Sequence, residues 1–146
     1  MSNAPRAIDT WVYGVLAADP TLQTATTGGT VLPTRIFDTQ APEGTPYPYG
    51  VFNAQDLPAN QCLGPSESTM QALYTVQWFA AGAAYSTLDP LVDRTDTLLQ
   101  TTPSTPPSGA QIVGCRRDRW LKQAFNVGGK VYRAKGAIYR VWATPS

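Results

Sequence analysis

The chain has 146 residues, 42% hydrophobic and 14% charged; this length argues for one domain, one that buries roughly 70% of the surface its unfolded form exposes. The charged fraction falls well below the roughly 25% usual for soluble domains, so much of the surface is neutral polar or apolar, as on a protein covered by partners. Histidine is absent, and with it the side chain that most often serves as general base and metal ligand near neutral pH, which excludes serine triads and histidine-ligated zinc.

In chain order, Ile8, Trp11, Val12, Val15 and Leu16 fall at i, i+3, i+4, i+7 and i+8, forming one apolar stripe of an amphipathic helix. Asn3 is placed to cap it, Pro5 sits in the first turn and Asp9 lies toward the positive end of the helix dipole. Asp19-Pro20 ends the helix, because the residue before proline is pushed out of the α region. The Thr/Gly-rich stretch from Thr21 to Pro33 has no period and reads as a loop.

Arg35-Ile36-Phe37-Asp38 is a short β-favouring run, and after the turn Ala41-Pro42-Glu43-Gly44-Thr45-Pro46 a second strand is expected over Tyr47 to Asn53. Pro46 and Pro48 keep its start on an edge or outside the ladder. Loop signals follow from Leu57 to Ser68. The clearest strand alternates Met70, Ala72, Tyr74, Val76 and Trp78 with Thr69, Gln71, Leu73, Thr75 and Gln77, one face apolar and the other mostly polar.

Ser86-Thr87-Leu88-Asp89 has the spacing of a capping box, and Leu88, Leu91, Val92, Thr95, Leu98 and Leu99 then keep helical spacing. Thr101 to Gly109, with three prolines, reads as a loop. Two strands, about Gln111 to Phe125 and Val131 to Trp142, close the chain around the hairpin signal Gly128-Gly129. Gly136 reads as a bulge, because the apolar phase changes there. The order is that of an α+β domain, a mainly antiparallel sheet with two helices packed on one face. Trp11, Trp78, Trp120 and Trp142 each sit in an apolar pattern and are read as core or interface residues.

Charge is distributed unevenly. From Cys115 onward Arg116, Arg117, Arg119, Lys122, Lys130, Arg133, Lys135 and Arg140 stand against Asp118 alone, a net +7, while the preceding 114 residues carry −6. Such polarity points to pairing of the basic element with acids of the same chain or of another copy, or to a nucleic-acid face. Arg133 and Lys135 share one face of their strand and therefore meet one partner, whereas Arg116, Arg117 and Arg119 occupy both faces of theirs.

Chemistry-bearing patterns are weak. Val127-Gly128-Gly129-Lys130 lacks the spacing of a phosphate loop and is a turn. Asp89, Asp93 and Asp96 lie at i, i+4 and i+7, but helical spacing alone builds no cage of oxygens, and they read as a solvated acidic face. Cys62 and Cys115 are too few for a zinc tetrahedron or a disulfide framework and are expected to be free, buried thiols. Arg116 and Arg117 beside Cys115 are a reason for a lowered thiol pKa, but no histidine is there to partner it. No enzyme, cofactor or metal is therefore expected. The first residues show no signal peptide, so the chain is expected to be made in the cytoplasm. The longest apolar run, Trp78 to Tyr85, is eight residues, too short to span a bilayer, and no membrane partner is expected.

Several of these segments together resemble the tail terminator (tail-completion, or tail-to-head joining) proteins of long-tailed bacteriophages. They are the opening helix ending at Asp19-Pro20, Arg35-Ile36-Phe37-Asp38, and Ala41-Pro42-Glu43-Gly44-Thr45-Pro46-Tyr47-Pro48-Tyr49-Gly50-Val51-Phe52. The strand from Met70, the helix from Leu88 to Gln100 and the ending Tyr132 to Val141 extend the likeness over most of the chain. Departures are Gly50, where a β-branched residue is expected, and long loops near 57–68 and 101–109. The resemblance implies a single domain over residues 1–146 that forms a homohexameric ring on the last ring of the tail tube, stops tube growth and joins the tail to the head. Implied partners are the tail tube protein, a neck or head-completion protein and the genomic DNA passing through the ring lumen; the implied location is the head-proximal end of the virion tail.

Two other readings compete. One is a nucleic-acid-binding module in which the basic C-terminal hairpin grips phosphates and Trp120, Tyr132 and Tyr139 stack bases. The other is a neighbouring neck or minor tail component. Under each, the basic residues named above are the interface or DNA-passage candidates.

Overall fold

A computed structural model describes residues 4–27, 35–56, 70–82, 85–100 and 110–145. Helix α1 (Ala4–Ala17) buries Ile8, Trp11, Val12 and Leu16, the stripe expected from their spacing. Asp9 does not serve the helix dipole alone, since its carboxylate accepts a hydrogen bond from the Tyr74 hydroxyl. Asn3 lies outside the described residues.

The chain leaves α1 at Asp19-Pro20 and starts again at once, for α2 runs from Pro20 to Thr27 where the sequence reads as a loop. Two local bonds account for the difference. The Asp19 carboxylate accepts from the Leu22 N–H at 3.0 Å, capping the helix. The Thr26 hydroxyl donates to the Leu22 carbonyl at 2.9 Å, and Leu22, Gln23 and Thr26 are buried. Burial alone would raise the Asp19 carboxyl, but Arg94, at 2.7 Å, and the Leu22 N–H hold it below its ordinary value. Residues 28–34 and the two long loops expected at 57–68 and 101–109 lie outside the described residues, as does Cys62.

Five strands form one sheet: β1 (Ile36–Asp38), β2 (Tyr49–Asp56), β3 (Met70–Ala81), β4 (Ala110–Val127) and β5 (Lys130–Pro145). Their order is β1-β2-β3-β5-β4, parallel between β1 and β2 and antiparallel elsewhere, so the fold is α+β. Pro48 stays outside the ladder, and β2 begins at Tyr49, two residues later than the sequence indicates. Helix α3 (Asp89–Leu99) follows a short 3-10 turn over Tyr85–Thr87. The expected capping box does not form; Leu88 is the N-cap without a side-chain bond, Pro90 fits the first turn, and the buried Leu88 anchors the entry.

Among the described residues three α-helices, not two, accompany the sheet. One sheet face, carrying Ala72, Tyr74, Val76 and Trp78 of β3 with Ala137, Tyr139 and Val141 of β5, is buried with α1 and α3 in the core. Trp78 donates its indole N–H to Thr95 of α3 at 2.9 Å. Its ring lies over Gly50, where an added Cβ would stand 2.7 Å from the ring carbons, so the glycine in place of a β-branched residue is what lets Trp78 lie flat. No register shift occurs at Gly136, which pairs evenly with Gln77. The residue is glycine because a Cβ there would stand 1.9 Å from the Val76 carbonyl oxygen. The bulges are elsewhere, one in β2 before Asp56 and two in β4, where Val113 and Asp118 are the extra residues. Gly128 and Gly129, at φ of 61° and 82°, close the β4–β5 hairpin as a two-residue turn.

Candidate interaction surface

The eight basic residues of the C-terminal hairpin divide by the side of the sheet they occupy and by their height along it. On the helix-covered face, Arg117 of β4 reaches Asp96 of α3 at 2.8 Å and Lys135 of β5 reaches Asp89 at 2.6 Å. Asp96 also accepts from Gln100 at 2.8 Å and from the Tyr139 hydroxyl at 3.2 Å. Two of the three helical aspartates are therefore occupied by cations of the same chain, and among the described residues no cluster of carboxylates and thiols is placed to hold a metal. The acidic face of α3 and the basic hairpin are partners within one subunit. Arg133 and Lys135 share a face as expected but not one partner, since Lys135 is held by Asp89 and Arg133 lies over the Tyr85 ring.

Beside Lys135, at its register partner Lys122, and beyond it the cations lose their acids. Lys122 lies 4.4 Å and Arg133 4.9 Å from the centre of the Tyr85 ring, two cation–π contacts on one aromatic. The Arg133 Nε is enclosed and has no hydrogen-bond partner among the described residues. Lys130 stands exposed beside the turn, near Val127 at 60% exposure and Val131 at 40%. On the opposite face Arg140 meets Asp118 at 3.3 Å and Gln71 at 2.9 Å. Arg116 is exposed opposite Arg140, and Arg119 is solvated with only a 4.0 Å approach to Asp118.

That opposite face carries no described helix. At its upper end six rings form a chain of contacts: Phe37 to Tyr49 at 6.4 Å, Tyr49 to Tyr47 at 5.1 Å and to Phe79 at 5.3 Å, Tyr47 to Tyr132 at 5.5 Å, and Phe125 to Tyr132 at 5.9 Å. Tyr47 and Phe125 remain about two-fifths exposed. Sequence reading spread these rings over several strands, with Tyr47 and Tyr49 together on one, and missed the seam; the signal was there in Tyr47, Tyr49, Phe79, Phe125 and Tyr132 all lying near strand ends.

The chemistry of nucleophiles is muted. Burial, then the nearby Asp96 charge, pushes the Cys115 thiol up to about 12, the reverse of the activation that Arg116 and Arg117 led one to expect. Burial and Asp96 likewise raise the Tyr139 hydroxyl, and burial and Asp9 raise that of Tyr74. Tyr139 is buried and hydrogen-bonded, so it is not available to stack on a base; Tyr132 is engaged in the aromatic seam, and of the three proposed stackers Trp120, 47% exposed under the Arg117 guanidinium, is the open one. At the far edge of the sheet, a groove of about 490 Å³ missed in the sequence opens between α1 and β1, lined by Tyr13, Phe37 and Phe52 with Asp9 and Asp38.

A comparison of folds bears on this surface. The chain is similar to a chain from the virion of a native gene transfer agent (GTA) particle, with a TM-score of 0.73, covering 97% of this chain and 98% of that one at 17% identity. The two share the fold from end to end. No protein-family model and no curated protein matches the sequence.

Proposed function

We propose that this protein is a structural component of a phage-type virion, a tail terminator that forms a ring of six copies on the last ring of the tail tube, stops its growth and presents the surface to which the neck joins. The observation that carries the reading is the end-to-end likeness of fold to a GTA virion chain. The resemblance of the segments around Ala41 to Phe52 and Tyr132 to Val141 to tail terminator proteins narrows it. The surface agrees with assembly: a long hairpin edge bearing solvated cations, an exposed aromatic seam and an open groove at the opposite edge.

A polymer of stacked rings stops when its end is covered by a ring that matches the tube below and differs above. No bond is made or broken, so no catalytic step is assigned to any side chain. The genomic DNA passing through the lumen would meet whichever of Arg116, Arg119, Lys122 and Lys130 face inward, and contacts of that kind act through phosphate charge without reading sequence.

Removing the protein from an assembling virion should give filled heads separated from tails of abnormal length, seen by electron microscopy. Adding it to growing tubes should cap them in proportion to tube ends, without turnover. Normal, head-joined tails in its absence would overturn the reading. Salt-sensitive duplex binding by the isolated protein, at about micromolar affinity or tighter, would favour a nucleic-acid module instead.

A further inference from the structure

We infer that the tip of the β4–β5 hairpin of one copy docks into the groove between α1 and β1 of the next copy. The inference rests on the ring reading and specifies its subunit contact. β1 and β4 are the two opposite edges of the sheet. A contact between opposite edges is heterologous, the kind that repeats head to tail and closes into a ring when the rotation allows, whereas a contact of one edge with itself stops at a dimer.

The two surfaces also match in chemistry. The tip presents one exposed valine on each face, Val127 beside Lys130 on the aromatic side and Val131 with Arg133 on the other, and neither cation forms an ion pair among the described residues. The groove offers an apolar wall, the buried Phe52 with the Tyr13 ring 6.0 Å from it, and the carboxylates of Asp9 and Asp38 in the same lining. Asp38 is exposed, its carboxylate accepting from the neighbouring Thr39 hydroxyl, and the exposed Glu43 follows in the next turn. Arg35, the one cation of the lining among the described residues, donates to the Pro46 carbonyl at 3.3 Å. An apolar knob ringed by positive charge thus faces an apolar slot rimmed by negative charge. A second copy supplies both, which neither duplex DNA nor a free anion does, because each would satisfy the cations and leave the valines in water.

The test uses charge exchange within one chain and a cross-link between chains. Lys130→Glu alone, or Asp38→Lys alone, should lower the ring population by about tenfold or more in sedimentation and electron micrographs, since each sets like charges together. Thermal unfolding of the monomer should not change, and the double variant carrying both reversals should recover rings. In a Cys62→Ser background, copies with Val127→Cys mixed with copies with Thr10→Cys should give cross-linked heterodimers under a short bis-maleimide, and a chain with both should give a ladder. Asp93→Cys in place of Thr10→Cys should give none. The contact is overturned if single reversals assemble like the wild type, if the double variant fails to recover, or if the Val127–Thr10 pair does not cross-link while wild-type rings form; in those cases the ring reading stands. Absence of both rings and cross-links overturns the two together.

Discussion

The base and the tip of the β4–β5 hairpin contain the same kinds of residue in different surroundings. At the base Arg117 and Lys135 lie under α3 and meet Asp96 and Asp89 at 2.8 and 2.6 Å. From Lys122, the register partner of Lys135, out to the tip, Lys122, Arg133 and Lys130 meet an aromatic ring or water and no carboxylate among the described residues. The difference follows from what packs over each cation. Over Arg117 and Lys135 lie the carboxylates of α3, over Lys122 and Arg133 lies the uncharged Tyr85 ring, which attracts a cation without neutralising it, and Lys130 stands in water. A net +7 in the sequence is therefore two populations, one that closes the fold and one left over for contacts outside it.

Substitutions should separate the two. The largest effect belongs to the inner part of the hairpin: Gly136→Ala drives a methyl into the Val76 carbonyl and should cost about 3 kcal/mol or more by denaturant titration. Gly129→Ala at the turn only forces a positive φ of 82° on an alanine and should cost about 1–2 kcal/mol. If the two cost the same, the steric account of Gly136 is wrong.

Asp96→Ala removes the acceptor of Arg117, Gln100 and Tyr139 together and should destabilise by about 2 kcal/mol, whereas Lys130→Ala should stay within about 0.5 kcal/mol. Equal losses would erase the distinction between base and tip. Alkali gives a finer measure of the base. The folded chain keeps the protons of Cys115 and Tyr139 where the unfolded chain releases them, from about pH 8.5 for a thiol and about pH 10 for a phenol. Stability is therefore fully present below about pH 8.5 and falls as pH rises toward the folded thiol value of about 12. The thiol alone contributes a slope of about 1.4 kcal/mol per pH unit. Cys115→Ala should flatten that slope between pH 9 and 11; an unchanged slope would show that the thiol is not held in its protonated form.

Much of the fold was legible because burial leaves a period. The Ile8 to Leu16 stripe, the alternation from Ala72 to Trp78 and the Gly128-Gly129 turn all appear where their spacing places them. Helix α2 was not, because Thr21 to Thr27 has too few apolar residues to show a period, and what starts it is one side chain, Asp19, that also stops α1. Gly136 was read as a change of phase when its cause is the backbone of the strand beside it. At the candidate surface, the sequence named every basic residue of the hairpin. It did not show which of them α3 neutralises, because that depends on the register of β4 and β5 against a helix some twenty or more residues upstream. The groove between α1 and β1 was equally hidden, being made by residues far apart in the chain.

The bulge at Asp118 carries a consequence beyond its own bend. Arg117 faces α3, and in an unbroken strand Arg119, Leu121, Gln123 and Phe125 would follow it to that side. One inserted residue exchanges the two rows, so Trp120, Lys122 and Ala124 lie toward the helices and Phe125 joins Tyr132 on the other side. The address of every side chain in the outer hairpin is thus set by counting from a single residue seven positions before Phe125. Deleting Asp118 would leave every one of these addresses in place, because Arg119 would then follow Arg117 and still pair with Ile138, whereas taking Asp118 into the ladder as an ordinary paired residue would turn the tip inside out, moving Lys122 to the aromatic side and Phe125 to the side of Tyr85. In this hairpin, parity rather than identity decides which side chains a neighbour can touch.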